Sequence, residues 1–363
     1  MADLQTTLCG KRLETPFVLG SGPCGWDAEA LAACAKAGCG AVVTKSLTIH
    51  GAVNTTRHMV ANGALSLLNN EGGSDMPLQQ WRDHEIQRAK DLGVKVLIAS
   101  VYGYGGLDET LEVASVAEKA GADMIELVNG YTEAADLVHL VAMVKQAVQI
   151  PVIVKVNGNW KDTEEVAQAC DAAGADAITA IDSIGPVYRV DIATGKPLLG
   201  GNGYGYLTGA PILPLSLRYV HDIAAHTKKD LIGLGGVTNA EAALEMLMAG
   251  ATAVGVCTAA ILQGPDVFRR LTADLAELMD RYQYPNIASV SRLTLRSGLL
   301  PEKQPCDFAF DAEKCVHCNR CVTACAYRAR TFDERGRMQV DPTRCRVCGL
   351  CFGVCPKHAI WIA

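Results

Sequence analysis

A closed barrel of eight parallel strands ringed by helices, followed by a small cysteine-rich domain, is the architecture this sequence predicts. Three observations carry that reading: eight short β-branched runs before residue 260, Ala-rich helical stretches between most of them, and two matching sets of four cysteines near the C-terminal end. The 363 residues exceed one ordinary domain, and 49% hydrophobic content is enough for a large core and a smaller one.

The eight runs are FVLGSG (17–22), AVVTKS (41–46), VLIAS (96–100), MIELVNG (124–130), VIVKV (152–156), AITAIDS (177–183), LIGLGG (231–236) and AVGVCTA (253–259). Between them, LEVASVAEKAG, TEEVAQACDAAG and AEAALEMLMAG each end in the Gly that stops a helix ahead of the next strand. Repeated βα units with right-handed crossovers give a TIM (β/α)8 barrel, with an open doubly wound sheet as the alternative fold. Two connections, 47–80 and 184–215, are too long for plain helices and are rich in Gly, Asn and Pro. They are expected as loops over the C-terminal face, where barrels bind substrates. A last helix near 265–282 completes the barrel. The expected division is a barrel over 1–285, a linker carrying a short helix over 286–310, and a ferredoxin-like domain over 311–363.

The net charge of −6 gives no reason to expect a nucleic-acid partner, which asks for a basic face. The charge is uneven: from Asp311 to Ala363 nine Lys and Arg stand against five Asp and Glu, a balance of +4, leaving −10 for the rest. Arginines there either offset negatively charged thiolate-held clusters or dock an acidic electron carrier. The N-terminus lacks a basic patch with an apolar run behind it, and no stretch reaches roughly 18 uninterrupted apolar residues. A cytoplasmic protein without a membrane partner is expected. Fifteen cysteines in such a chain point to metal or redox chemistry rather than disulfides.

Cys315, Cys318, Cys321 and Cys325 have the spacing C-x2-C-x2-C-x3-C, and Cys345, Cys348, Cys351 and Cys355 repeat it, with Pro356 following the last. This is the bacterial ferredoxin pattern for two 4Fe-4S clusters, in which the fourth cysteine of each run ligates the other cluster. One cluster is therefore assigned to Cys315, Cys318, Cys321 and Cys355, and the second to Cys345, Cys348, Cys351 and Cys325. Zinc sites use paired ligands and do not need two matching four-cysteine runs. Cys325 is followed by Ala326 rather than Pro, which leaves the thiolate count intact.

The strand ends carry a constellation that packing alone would not choose. They present Ser21 and Gly22, Lys45 and Ser46, Lys155 and Asn157, Asp182 and Ser183, Gly235 and Gly236, and Cys257 and Thr258. The last two strands of such barrels commonly hold a phosphate on backbone N–H groups, so a phosphorylated cofactor is expected there. Gly pairs also make ordinary tight turns. Lysines at the ends of two buried strands are harder to explain by packing, because an unpaired buried ammonium is costly, so Lys45 or Lys155 should meet an anionic group. No GxGxxG follows a strand and opens a helix, so reducing equivalents should arrive by a route other than a built-in nicotinamide site.

Through TPFVLGSG, VVTKSLT, ALSLLNN, PVIVKV, AIDSIG, LTGAPILPLSLRYV, LIGLGGVTNAEAALEML and AVGVCTA, then the cysteine runs, the chain resembles the dihydroorotate dehydrogenase family. It is most similar to the flavin and iron–sulfur part of dihydropyrimidine dehydrogenase. The resemblance implies FMN over the barrel mouth, held by Ser21, Gly22, Lys45, Lys155, Ser183, Gly209, Gly235, Gly236, Cys257 and Thr258. It also implies a substrate contact at Asn69 and a homodimer. Two positions depart from the family. Its fourth-strand loop carries Asn-x-Ser-Cys-Pro, with the Cys or Ser moving a proton, whereas this chain reads Glu126 to Thr132 as ELVNGYT. At Asp182 the family places an Asn, and an ionised carboxylate accepts hydrogen bonds without donating any, so a pyrimidine ring could not be held in the same way.

The reaction type implied is reduction or formation of a C=C bond in a small, possibly cyclic substrate. Hydride passes to or from the flavin and a positioned acid supplies the proton. Tyr131 is the candidate acid, with Tyr102, Tyr104 and Asp182 as rivals; Lys155 and Asn69 complete the catalytic set. Tyr131 also reads as an ordinary loop tyrosine, and Cys24 and Cys257 as small packing residues. Electrons would reach the clusters from ferredoxin or an NAD(P)H flavoprotein partner. The alternatives are an electron-relay subunit without substrate chemistry of its own, or a dihydroorotate or dihydropyrimidine dehydrogenase proper. A lyase using Lys155 as a Schiff base leaves the clustered cysteines without a role.

Overall fold

The structure, a computed structural model, describes residues 1–128, 134–160, 162–298 and 308–362. The chain divides into two compact units, Met1–Gly298 and Leu299–Ala363.

In the first unit the eight apolar runs become eight parallel strands: Phe17–Leu19, Ala41–Val43, Leu97–Val101, Met124–Val128, Val152–Val156, Ala177–Ala180, Asp230–Leu234 and Ala253–Val256. They pair in chain order, and the ring closes where Val254 to Val256 meet Phe17 to Leu19. The helices between them start at side chains that satisfy their free N–H groups. Asp27 accepts from Ala30 N, Asp162 from Glu165 N and Asn239 from Ala242 N. The helix Leu107–Ala120 ends at Gly121 in the left-handed region, with φ +108°.

Side chains inside the barrel follow the strand period of two, and that period stacks two layers of different character. The lower layer is apolar and includes Ile98, Met124, Ile153 and Ala177. A hairpin of Thr6–Leu8 and Lys11–Leu13 contributes Leu8 and Leu13 to the same cluster, both fully buried, which at about 2 kcal/mol each anchors the hairpin there. Two residues further along the same four strands the interior becomes polar: Ser100, Glu126, Lys155 and Thr179 are all buried. Such a layer is expensive unless its members pair, and it faces the C-terminal end where the last βα turns lie.

The two long connections, expected as loops, build a second sheet together. Met59–Ala61, Ser66–Asn69, Tyr204–Gly209 and Ile184–Tyr188 pair in that order, all antiparallel. Each connection supplies two strands that pair with each other, and the pairing of Ser66–Asn69 with Tyr204–Gly209 joins the two connections over a long range. Residues 286–298 carry the helices Ile287–Val290 and Leu293–Ser297. Both pack with the helix Ala240–Ala249, so the first compact unit runs to Gly298.

The second unit repeats one pattern twice. Phe308–Phe310 pairs antiparallel with Ile360–Ile362, and Arg330–Phe332 with Met338–Val340. The short helices Arg320–Thr323 and Leu350–Gly353 each contain one cysteine and lead to another, Cys325 and Cys355. In both copies that last sulfur accepts a hydrogen bond from the N–H four residues on, Ala329 and Ala359, at 3.3 Å. Among the described residues no helix is long and apolar enough to cross a membrane.

Candidate active site at the barrel mouth

The polar layer of the barrel is linked side chain to side chain. Ser21 Oγ lies 3.3 Å from Ser46 Oγ, which lies 3.0 Å from Ser100 Oγ. Thr179 Oγ1 donates to Glu126 Oε2 at 2.9 Å. Lys155, beside Thr179 in register, places Nζ 3.7 Å from Asp182 Oδ1. Asp182 also accepts from Ser183 N at 2.7 Å, which orients its carboxylate.

Burial works against the charge on Lys155, but Asp182 and Glu126 outweigh it and raise its pKa, so the ammonium is retained at neutral pH. Burial also raises the pKa of Glu126, more than the neighbouring Lys155 lowers it. Its second oxygen, Oε1, is buried and takes no hydrogen bond. Lys155 is the largest of the influences that favour the carboxylate, followed by the hydrogen bond from Thr179.

Above this layer a cavity opens at the strand ends. Its walls include Ser21, Gly22, Asn69, Lys155, Asp182, Ser183, Gly209, Gly235, Gly236, Cys257 and Thr258. Eleven of the barrel residues singled out in the sequence thus converge on one space, whereas Cys24, Lys45, Ser46, Asn157, Tyr102 and Tyr104 do not line it. Tyr131 lies outside the described residues. Tyr102 and Tyr104 stack edge to face at 4.7 Å, and Tyr104 Oη accepts from Gly73 N at 3.2 Å; neither lines the cavity. Gly235 and Gly236 hold φ values of +113° and +87°. A Cβ on the second would sit 2.6 Å from the Leu213 backbone, so the chain passes the start of the preceding helix, Leu213–His226, only with glycine there.

Lys45 is set back from the cavity. Its Nζ lies 2.9 Å from Oε1 of Glu71, and Glu71 lines the wall. The sequence reading missed Glu71, in a run of Asn and Gly that looks like plain loop; the signal was Lys45 itself, a buried ammonium in need of a carboxylate. Glu126 was also passed over as a catalytic-site residue, although a Glu among apolar residues of a barrel strand cannot be there for packing. Burial pushes the Cys257 and Cys24 thiols up to about 12, which fits packing residues rather than nucleophiles.

In the second unit Cys315, Cys318, Cys321 and Cys355 line one pocket, walled by Phe310, Phe332, Met338 and Ile360. Three cysteines of the first run and the last cysteine of the second thus share a space. Burial raises the pKa of Cys355, but backbone N–H groups led by Lys357 and Ala359 outweigh it and hold the thiol below its ordinary value. The same balance, led by Ala329 and Arg330, holds Cys325 low. Four thiols in an apolar pocket, with N–H groups aimed at sulfur, fit the donor set of an iron–sulfur cube.

Residues 3–279 match the family model described as dihydroorotate dehydrogenase. The chain belongs to the dihydroorotate dehydrogenase family. Residues 314–359 match a second model, a 4Fe-4S dicluster domain. Among curated relatives, the chain is 35% identical over 291 residues to the catalytic subunit of dihydroorotate dehydrogenase B (NAD(+)) of Methanothermobacter thermautotrophicus, covering 76% of this chain and 93% of that one. The corresponding subunit of Thermoplasma acidophilum is 32% identical, over 82% of this chain and all of the relative. Dihydroorotate dehydrogenase A (fumarate) of Limosilactobacillus reuteri is 31% identical, over 77% and 94%. The protein is accordingly an oxidoreductase acting on CH–CH groups, and its two matches imply FMN and 4Fe-4S centres. The barrel-mouth cavity, with a side-chain-free turn at Gly235 and Gly236 and a charged Lys155 in its wall, fits a flavin phosphate and ring.

Proposed function

We propose that the protein uses FMN at the barrel mouth to reduce, or form, a C=C bond in a small ring substrate, with electrons relayed through two 4Fe-4S clusters. The observation that carries this reading is the convergence of the predicted cofactor residues on one cavity together with the Lys155–Asp182 pair in its wall. Ser21, Gly22, Ser183, Gly209, Gly235, Gly236, Cys257 and Thr258 would hold the cofactor, with Lys155 against its ring and Lys45 behind. When bound, FMN supplies a hydride donor and acceptor. Asn69 and Asp182 would orient the substrate, and Tyr131 would give or take the proton next to the carbon that receives hydride.

The cavity shared by Cys315, Cys318, Cys321 and Cys355 supports the crossed ligand set for the first cluster; Cys345, Cys348, Cys351 and Cys325 would hold the second. Relatives named as catalytic subunits favour a partner that feeds the clusters, either an NAD(P)H flavoprotein or ferredoxin. Those names also favour a second reading, a dihydroorotate dehydrogenase proper, and Asp182 speaks against it. A relay subunit without its own substrate would not need a cavity lined by ionisable groups. The deciding experiment is anaerobic: the bound flavin is reduced with dithionite and challenged with unsaturated ring compounds, dihydroorotate's oxidised partner among them. Reoxidation by an uncharged ring and not by orotate supports the first reading; the reverse supports the second.

A further inference from the structure

Glu71 lines the cavity, yet its carboxylate is committed to Lys45. The two side chains are 12% and 8% exposed and their charged atoms are 2.9 Å apart. The other ammonium at the mouth, Lys155, is matched by Asp182 at 3.7 Å and faces Glu126 as well. Among the described residues lining the cavity Lys155 is the one lysine or arginine, while Glu71 and Asp182 both line it. His58 lies 4.0 Å from the same Glu71 oxygen, so even protonated it serves Glu71 first. Among the described residues at the mouth each lysine is thus already balanced, and a bound flavin phosphate adds further negative charge. A substrate carboxylate leaving water would meet two carboxylates and, among the described lining residues, no unmatched cation to replace its hydration.

We propose that Glu71 is a specificity-determining residue that reserves the pocket for an uncharged substrate, by taking up the Lys45 ammonium that a carboxylate-bearing substrate would need. This rests on reading the cavity as the site of the CH–CH chemistry. The test compares two rings that differ by one carboxylate, orotate and uracil, by calorimetry on the purified holoprotein. The ratio of their dissociation constants cancels what the ring itself contributes. In the wild type orotate should bind at least tenfold more weakly than uracil. Glu71→Gln, which keeps the shape and frees Lys45, should improve orotate relative to uracil at least tenfold, and adding Lys45→Gln should remove that gain. Wild-type protein that binds orotate as tightly as uracil overturns the proposal without need of the variant, as does an unchanged ratio in Glu71→Gln. Flavin content of the same preparation is measured separately; its absence would defeat the reading of the cavity as an FMN site and leaves the anion comparison readable on its own.

Discussion

Lys155 and Asp182 meet 3.7 Å apart at the rim of the barrel, one on the fifth strand and the other just beyond the sixth. The pair joins the buried polar layer to the cavity: Lys155 interacts with the buried Glu126, and Asp182 lines the cavity wall.

Replacing Lys155 with Met removes the one ammonium that compensates two carboxylates. Breaking a buried pair in this way costs about 3 kcal/mol or more. The expected result is a clear fall in thermal midpoint together with loss of bound flavin; a variant that keeps both would separate Lys155 from the cofactor.

Glu126 has a folded pKa raised by burial above its unfolded value. Between the two values the folded state holds a proton that the unfolded state has lost, so this group's contribution to stability falls as pH rises through that window. Glu126→Gln removes the titration. Denaturant midpoints of wild type and variant should therefore diverge in favour of the variant from about pH 4 upward. Parallel midpoints over that range would mean that Lys155 keeps Glu126 ionised in both states.

Cys318 and Cys355 are far apart in sequence but line one cavity. Cys318→Ser and Cys355→Ser should each lose the same electron paramagnetic resonance signal, and Cys325→Ser a different one. Each should abolish reduction by the external donor while FMN stays bound. Loss of one signal by Cys325→Ser and Cys318→Ser together would return the ligands to their own runs.

Asp182→Asn turns an acceptor-only group into one that also donates. Affinity for uracil should rise about tenfold, the scale of one added hydrogen bond at a buried site. Tyr131→Phe should slow turnover at least a hundredfold with flavin reduction by the donor unchanged. An unaltered turnover number in the second variant moves the proton to another residue.

The barrel was legible because each strand is a β-branched run and the helices end in Gly; every run identified in the sequence is a strand of the ring. The cysteine pattern was legible because its spacing is set by the cube it must hold. The sheet over the mouth was not, since it is joined where Ser66–Asn69 pairs with Tyr204–Gly209, more than a hundred residues away, and local pattern carries no trace of that partner. Glu71 was missed for the same reason. What makes it part of the site is its distance to Lys45, and a loop glutamate looks the same in sequence whether it is solvated or paired. The inner polar layer was half legible: Lys155 stood out at a strand end, while Glu126 passed as part of an altered loop.

The measurement that tests the central claim most directly is the cofactor content of anaerobically purified protein, followed by reoxidation of its reduced flavin. One FMN and about eight irons per chain, with flavin reoxidised by an uncharged unsaturated ring, is the result that follows from the site. A preparation with its irons but no flavin, or with a flavin that no unsaturated ring reoxidises, would contradict it.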